Sequence, residues 1–467
     1  MKLPSALFGA CVLILGASWA RAEVVYSVAE RQPPAGHREG LQIVAIANSG
    51  AAIGGTSDSF HGFYWTNPTQ VNALASLGQS RPADGSLPTG INNIDGACGY
   101  GYTSAGLTRG LHWQKPTGAP VVLQPIGSKT ALYVVAGCTA LNDSNVLVGD
   151  SSIGRKFEPT HATEWTGNEI IDLGALGDST ASSAALAISP NGLVAGASGL
   201  SAHGATHAVV WFYRSITDLG TLGGSDSAAV GINDFAQAVG SSDIAQVDPD
   251  GAPLQHAFLW QGGTMSDLGV LPGNNASHAN AINRWGEIVG RSGINFDQNY
   301  HAVIWLKGIM TDLNQLLAGK LPSTVVLLNA PSIADSGRFE VAGENIATGE
   351  RVSYLVTPTY STSVSVTSTP NPSSEGQWVI FQASVTTTDA HGTPTGSVTF
   401  ADGATKLKTV NLNSYGNALY ATSTLGLGIH RITATYNQND VYGAGRSTVV
   451  NQRVNLELIP LPHSNGR

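Results

Sequence analysis

The sequence predicts an all-β protein: a seven-bladed β-propeller closed by an N-terminal strand, followed by a β-sandwich. Two observations predict the propeller. A module recurs at intervals of 44 to 51 residues up to about residue 358, and short β-type runs bounded by Gly, Asn and Asp fill each copy. A third observation, the change to alternating Thr, Ser and Val from Ser361 onwards, predicts the sandwich. Among 467 residues, 56 Gly and only 12% charged residues favour an all-β chain of more than one domain.

Residues 1–22 are predicted to be a secretory signal peptide. Lys2 gives a positive start, residues 6–19 form an almost uninterrupted apolar run, and small residues at 20 and 22 precede Glu23. We therefore expect cleavage after Ala22 and a secreted, extracellular product. The apolar run is too short for an ordinary spanning helix, which leaves a membrane anchor as the alternative, and no later segment is long enough to span.

The charge of the chain argues against two classes of partner. Formal net charge is −9, and it becomes −11 when Lys2 and Arg21 leave with the leader. An acidic chain without a Lys/Arg cluster is atypical of proteins that bind nucleic acid or anionic membrane surfaces.

The repeat is recognised by two recurring positions. One is the Trp that ends a His-Ala-x-x-Trp run, and the other is the Ile or Leu of an Ala-Ile-Asn run. The Trp recurs at Trp65, Trp113, Trp165, Trp211, Trp260 and Trp305, with Leu355 in the seventh place. The aliphatic residue recurs at Ile46, Ile91, Leu141, Ile188, Ile232, Ile282 and Ile333.

Each repeat is predicted to contain four short strands. In one clear copy these cover residues 227–232, 237–240, 256–260 and 264–268. The turn between the first two strands needs a residue at positive φ four positions after the aliphatic residue. Six of the seven residues there tolerate it, and Ala236 is the exception: Gly50, Asp95, Asn145, Gly192, Ala236, Gly286 and Gly337.

Counting strand types predicts how the ring closes. The first-strand and third-strand types each occur seven times, whereas the fourth-strand type occurs only six times, each time between a third strand and the next first strand. The missing copy is at the front, where residues 24–28 directly precede the first Ile strand. A ring whose last blade takes its fourth strand from the N-terminus accounts for every copy and leaves no exposed sheet edge. An open solenoid of the same units is the rival arrangement.

The recurring His is interpreted as structural. It occurs at His61, His161, His207, His256 and His301, but Arg109 and Arg351 replace it in the second and seventh copies. Because His and Arg share only N–H donation, we expect a hydrogen bond that ties strand to loop in each blade rather than a metal ligand or base. The Asp of the recurring Asp-Leu-Gly (Asp172, Asp218, Asp267 and Asp312) is expected to bond its own turn.

These residues carry a resemblance. His256-Ala257-Phe258 and Asp218-Leu219-Gly220 resemble the HAF repeat of bacterial extracellular proteins, over roughly residues 24–358. That family carries no established activity, so the resemblance implies export and little about chemistry.

Residues 359–455 are predicted to form the sandwich, with 456–467 as a tail. Strands are expected at 364–366, 378–385, 396–400, 417–421, 429–436 and 447–454. The segments 394–400 and 432–436 resemble bacterial Ig-like repeats, whose modules usually act as spacers or stalks.

Two cysteines, Cys98 and Cys138, remain after cleavage of the predicted leader, which contains Cys11. Both occupy positions of small buried residues, which favours two buried thiols. Export to an oxidising compartment permits a disulfide, so that alternative stays open.

Long, variable connections are expected on one face of the propeller, including residues 241–255 and 292–300, and such loops commonly carry binding. A polar and aromatic ligand surface is predicted there from Tyr100, Tyr102, His203, Asp248, Asp250, His278, Phe296 and Tyr300. The acidic run at 248–251 lacks the spaced ligands and distal Glu of a complete calcium loop.

Three functions remain. The first is a non-catalytic binding or adhesion protein that presents its loops to an unknown extracellular ligand, such as a glycan or matrix polymer. The second is a structural matrix protein without a discrete site. The third is an extracellular polysaccharide-acting enzyme with two carboxyls about 5 to 9 Å apart in the channel mouth. No catalytic residue, metal or cofactor is predicted, because the sequence shows none of the familiar catalytic or phosphate-binding motifs.

Overall fold

Strands make up most of the structure, which confirms the predicted all-β class. The computed structural model describes residues 24–35, 41–56, 61–77, 85–102, 108–127, 136–154, 159–202, 204–295, 299–388 and 391–456. The predicted leader lies outside these residues, as do His203, Phe296 and positions 457–467. The described chain divides into two compact units, one covering Tyr26–Pro358 and the other beginning at Thr359.

The first unit consists of seven four-stranded sheets that follow the sequence repeats. We number the sheets 1 to 7 in chain order. The first strand of the described residues is β1 (Val25–Glu30). Sheet 1 contains β2 (Leu41–Ile46), β3 (Ala52–Thr56), β4 (Gly62–Asn67) and β5 (Gln70–Ala73). Sheet 2 contains β6 (Ser86–Ile91), β7 (Ala97–Tyr102), β8 (Thr108–Trp113) and β9 (Val121–Val122). Sheet 3 contains β10 (Ala136–Leu141), β11 (Val146–Ser152), β12 (Thr160–Thr166) and β13 (Glu169–Gly174).

The remaining sheets repeat this order. Sheet 4 contains β14 (Ser183–Ile188), β15 (Val194–Gly199), β16 (Thr206–Phe212) and β17 (Ser215–Asp218). Sheet 5 contains β18 (Gly223–Ile232), β19 (Ala238–Val247), β20 (Pro253–Gln261) and β21 (Thr264–Asp267). Sheet 6 contains β22 (Ala276–Ile282), β23 (Ile288–Gly293), β24 (His301–Leu306) and β25 (Ile309–Asp312). After the short helix α1 (Leu313–Leu316), sheet 7 contains β26 (Val325–Ile333), β27 (Phe339–Asn345) and β28 (Glu350–Thr359), with β1 beside β28.

The sheets are arranged in a closed circle, as in a propeller. First strands of successive sheets contact one another, and β26 contacts β2. The N-terminal strand β1 therefore lies in the last sheet as its fourth strand. Two further bonds join sheets 7 and 1: Ser336 N donates to Asn48 Oδ1 at 2.9 Å, and Arg338 Nη1 donates to the Asn48 carbonyl at 2.7 Å.

A buried ion pair, which we call the ring clasp, fastens the same junction. Arg31 follows β1, and its Nε lies 2.9 Å from Glu340 Oε1 on β27. Its Nη2 contacts the same carboxylate oxygen and also donates to the Gly50 carbonyl in sheet 1, at 2.7 Å. Both side chains are fully buried. Burial raises the pKa of Glu340 to about 7, against the opposing effect of Arg31. The clasp thus joins the N-terminal segment, sheet 7 and sheet 1.

The turn between the first two strands has the same backbone geometry in every repeat. All seven residues predicted to sit at positive φ do so, including Ala236 at 56°. There, Asn233 Oδ1 accepts from the backbone N–H groups of Phe235 and Gln237, at 3.0 and 3.1 Å. Because the Asn side chain fixes the turn, Ala236 adopts a conformation that costs an L-residue about 1–2 kcal/mol.

Two expectations about the variable connections are wrong. Residues 241–255, predicted as a connection, largely extend β19 and β20 into a long hairpin with its turn at 248–251. The strand continues beyond the predicted boundary because backbone pairing with β20 continues, with Ser242 opposite His256 and Asp243 opposite Gln255. Tyr100 and Tyr102 likewise lie on β7 rather than in a loop.

The preference for two free thiols is also wrong, because Cys98 and Cys138 form a disulfide. Cys98 lies on β7 of sheet 2, and Cys138 lies on β10, the first strand of sheet 3. The close approach of neighbouring sheets places the two Cα atoms 5.8 Å apart, within the range that a disulfide spans.

The second unit contains two packed sheets. Its strands are β29 (Thr362–Thr369), β30 (Ser373–Ser374), β31 (Val379–Thr387), β32 (Ser397–Asp402), β33 (Thr405–Asn411), β34 (Asn417–Thr422), β35 (Gly428–Asn437), β36 (Gly445–Arg446) and β37 (Val450–Asn455). One sheet has the order β29-β31-β34, and the other has β30-β37-β35-β32-β33, with β36 on β35. Phe381, Phe400 and Tyr436 form the centre of its core. No helix in the described chain is long and apolar enough to cross a membrane.

Candidate functional site

The recurring His pairs with the recurring Asp of its own repeat. His161 Nδ1 lies 2.9 Å from Asp172, and the same contact recurs in sheets 4, 5 and 6. Because an ionised carboxylate only accepts, the imidazole donates from Nδ1. The Asp also bonds its own turn, as predicted: Asp172 Oδ1 accepts from the Gly174 N–H at 2.8 Å. The four pairs are His161–Asp172, His207–Asp218, His256–Asp267 and His301–Asp312. Each belongs to a different sheet, so the pairs do not converge on one site.

The recurring Trp joins each sheet to the one before it. Trp211, almost fully buried, donates from Nε1 to the Leu173 carbonyl of the preceding sheet at 2.8 Å. Trp65 makes the same bond to the Gln32 carbonyl, just after β1, at 2.9 Å. Trp113, Trp165 and Trp305 follow the pattern, and Trp260 is buried in the same position. These side chains therefore hold the scaffold together.

The two ends of the central channel differ. We call the end formed by the turns between first and second strands the hairpin face, and the opposite end the loop face. At the hairpin face a side-chain oxygen of one repeat accepts from the backbone of the repeat before it. Examples are Asn93 N to Asp143 Oδ1 at 2.7 Å and Arg284 N to Asp335 Oδ1 at 2.8 Å. The opening there has a volume of only about 130 Å³, and its polar groups are engaged in joining sheets.

The loop face holds a larger cavity, of about 970 Å³, which we call the loop-face cavity. Its size is typical of small-molecule and oligosaccharide sites. Parts of sheets 5, 6, 7 and 1 line it. Its polar lining consists of five amides, two arginines, a histidine and a tyrosine: Gln42, Gln255, Asn280, Asn295, Asn329, Arg291, Arg351, His278 and Tyr300. The described lining residues include no Asp or Glu.

Internal hydrogen bonds hold four of the five amides of this lining in place, namely Gln255, Asn280, Asn295 and Asn329. Asn280 Nδ2 donates to Asn329 Oδ1 at 2.7 Å and to the Ala330 carbonyl at 2.9 Å. Gln255 Nε2 donates to Asp243 at 2.9 Å, and Asn295 Nδ2 donates to a neighbouring carbonyl at 3.1 Å. Because their orientations are fixed before a ligand arrives, binding costs less side-chain entropy.

Three side chains form the centre of the cavity wall. His278 on β22 faces Arg291 on β23 in the strand register. The Arg291 guanidinium lies 4.5 Å from the centre of the Tyr300 ring, and the His278 ring lies 5.9 Å from the same ring. Burial, and secondly the charge of Arg291, lower the pKa of His278 to about 4, so this imidazole is neutral at neutral pH.

Only part of the predicted ligand surface comes together here. His278 and Tyr300 line the loop-face cavity, whereas Tyr100 and Tyr102 lie in sheet 2 and do not line it. Burial raises the pKa of Tyr100. Asp248 accepts from the backbone N–H groups of Asp250 and Ala252, at 2.9 and 2.8 Å, and so fixes its own turn. His203 and Phe296 lie outside the described residues.

The predicted ligand surface omitted Arg291, Gln42, Asn280 and Asn329, because it was drawn from the predicted connections and these residues lie on strands. It also omitted Gln255 and Asn295, although both lie within the predicted connections 241–255 and 292–300. An available signal was the pair of polar residues His278 and Asn280 at alternate positions of the first strand β22, where sheet 5 has Ala228 and Val230. No group of three or more His, Cys, Asp or Glu in the described part of the chain is placed to hold a metal ion.

Comparisons with known proteins bear on the two units separately. Residues 366–455 match the model of a bacterial Ig-like domain (group 3). A search of curated proteins gives no match. Solved structures similar to the chain include YCF48 from Cyanidioschyzon merolae, with 11% identity, a TM-score of 0.41, and coverage of 70% of this chain and 98% of that one.

Two further solved structures are similar to the chain. A catalytically inactive virginiamycin B lyase from Staphylococcus aureus has 9% identity and a TM-score of 0.38, covering 71% of this chain and 99% of its own. TolB from Acinetobacter baumannii has 14% identity and a TM-score of 0.34, covering 71% and 79%.

Proposed function

We propose that the protein is a secreted, non-catalytic binding protein whose loop-face cavity takes a hydroxyl-rich extracellular ligand such as a glycan. The observation that carries the proposal is the cavity lining itself, in which five amides and a tyrosine surround about 970 Å³ of space. Amide groups both donate and accept, which matches hydroxyl groups that do the same.

The apolar part of the lining supports the same ligand class. Leu41, Ile43 and Val230 contribute aliphatic surface between the polar groups. Sugar rings carry C–H faces beside their hydroxyls, so a ligand of this kind contacts both parts of the wall. A flat adhesion surface without a cavity would not require amides fixed by internal hydrogen bonds.

Export is proposed on three grounds. The predicted leader and the resemblance to the HAF repeat both favour it, and bacterial Ig-like domains are typical of extracellular proteins. In this proposal the Ig-like unit is a spacer that separates the binding unit from a surface or matrix.

A binding screen with a matched control tests the proposal. The mature protein is screened against immobilised glycans and matrix polysaccharides, with Tyr300→Ser as the cavity variant. Tyr213→Ser is the control, since Tyr213 is 94% exposed in the turn between β16 and β17, on the hairpin face. We expect ligand retention to fall for the Tyr300 variant only, with nearly unchanged melting for both. Retention that survives Tyr300→Ser, or no retention by the parent protein, would overturn the proposal.

A further inference from the structure

We propose that the ligand of the loop-face cavity is an acidic saccharide whose anionic group binds Arg291. This inference rests on the proposed function and deepens it by naming the ligand class. The chemistry shared by all candidates is an anionic substituent on a polyhydroxylated ring, either the carboxylate of a uronate or a sulfate ester.

The first argument is the incomplete bonding of Arg291. Its guanidinium lies over the Tyr300 ring, and its Nε is buried without a hydrogen-bond partner. Within the described residues no carboxylate lies within ion-pair distance of it. A buried guanidinium N–H without an acceptor is costly, and a bound oxyanion would supply that acceptor.

Contrast with the ring clasp strengthens this argument. Arg31 is fully buried, whereas Arg291 is half-buried, and the chain gives Arg31 a carboxylate, Glu340, together with the Gly50 carbonyl, leaving only its Nη1 without a hydrogen-bond partner. The chain carries 32 acidic residues, so carboxylates are not scarce. Arg291 nevertheless has the Tyr300 ring and the neutral His278 imidazole as its neighbours in the cavity. A cation left without an anion in a ligand cavity is typical of an anion-binding site.

The groups around Arg291 fit a sugar acid. Guanidinium N–H groups bind a carboxylate or sulfate, and the fixed amides of Asn280 and Asn295 lie on the same wall for hydroxyls. His278 stays neutral, so it adds a hydrogen-bonding group without a second fixed charge. Arg351 supplies positive charge at the edge of the cavity, where Glu344 lies 3.8 Å away and partly offsets it.

The net charge of the chain allows specific binding at Arg291 to be distinguished from non-specific electrostatic attraction. At −9, the protein as a whole repels acidic polymers, so non-specific attraction does not produce binding. An acidic saccharide would therefore bind only where a local cation faces a cavity. Binding should depend on Arg291 individually rather than on the sum of surface charges.

A matched pair of ligands and a matched pair of variants test the inference. The ligands are a polyuronate and the same polymer after carboxyl reduction, which keeps the linkage but removes the charge; a sulfated neutral glycan separates sulfate from carboxylate. The variants of the full mature chain are Arg291→Gln and Arg284→Gln. Arg284 also lies over an aromatic ring, at 5.2 Å from the Trp285 centre, but on the hairpin face.

We expect the parent protein to bind one of the two acidic polymers, with an affinity about 30-fold or more higher than its affinity for the uncharged counterpart. Arg291→Gln should reduce the affinity for the acidic polymer by a similar factor, and Arg291→Lys should reduce it less. Arg284→Gln should bind the acidic polymer like the parent protein. Thermal melting of each variant establishes that it is folded. If Arg291→Gln does not fold, the comparison of charged and reduced polymers on the parent protein still decides.

Each remaining outcome has a definite meaning. Equal binding of polyuronate and reduced polymer, both lost in Tyr300→Ser, overturns the acidic-ligand inference and leaves the proposed function standing. Acidic binding that is unaffected by Arg291→Gln overturns the assignment of the anion to Arg291. Failure to bind any polymer overturns both.

Discussion

Replacing Arg31 with Ala removes the cation of the ring clasp and should weaken the junction that closes the propeller. The side chain is fully buried, and it bonds both Glu340 and the Gly50 carbonyl. Its loss leaves an uncompensated carboxyl in the interior, which typically costs about 3–5 kcal/mol. We therefore expect the free energy of unfolding of the first unit to fall by that amount, measured by urea unfolding with Trp fluorescence.

The pH dependence of the loss gives a second, independent measure. Burial raises the folded-state pKa of Glu340 to about 7, above its ordinary value of 4.5, so the folded state holds more protons than the unfolded state between these values. Stability from this group is thus present at low pH and is lost as pH rises. Without Arg31 the pKa rises further, so the variant should be penalised more at about pH 8.5 than at about pH 5.5.

Matched controls separate the clasp from a general charge effect. Arg351 lies in the same sheet, pairs with Glu344 at 3.8 Å, and is about half exposed, so Arg351→Ala should cost at most about 1 kcal/mol. The double variant Arg31→Met, Glu340→Leu should recover most of the stability, because it buries no charge. Equal losses for Arg31→Ala and Arg351→Ala would refute the reasoning.

Four further predictions follow from single features. Ala236→Gly should raise the free energy of unfolding by about 1 kcal/mol, because it relieves a left-handed alanine; no gain in urea unfolding contradicts this. Thiol titration of the denatured, unreduced mature chain should find no free thiol from Cys98 and Cys138, and replacing both with Ala should cost about 2–4 kcal/mol. His256→Ala should cost about 1–2 kcal/mol in a melt while leaving ligand retention unchanged; unchanged stability with lost retention would place a site on the repeat. Because the pKa of His278 is lowered from 6.5 to about 4, with Arg291 and Tyr300 facing it, stability should fall as pH drops between these values, and His278→Gln should flatten that part of the profile.

The scaffold was predictable because its determinants are local and repeated. Strand periodicity, the Trp and Ile positions and the turn residues recur with few exceptions, such as Leu355 in place of the seventh Trp, so each copy supports the interpretation of the others. Even the exception at Ala236 adopts the predicted backbone conformation. The position of β1 followed from counting strand types, which needs no knowledge of side-chain contacts.

The parts that escaped prediction depend on contacts between distant residues. Arg31 and Glu340 are 309 positions apart, and nothing in either local sequence indicates the other. The cavity wall combines residues from four sheets, so no single window contains its pattern. The disulfide joins strands of neighbouring sheets, and its formation depends on a Cα separation that sequence spacing does not give.

Placing β1 beside β28 has a consequence for the order in which the molecule can fold. During synthesis β1 is made first, whereas β28 is made only after six complete sheets. Strand β1 therefore stays unpaired until β28 has been synthesised. Until then, sheets 1 to 6 can assemble only as an open arc with two free ends. Such long-range pairing is slow to form and leaves strand edges exposed in the meantime. A nascent chain stalled before β26 would thus hold nearly all of its repeats and still be unable to become a ring.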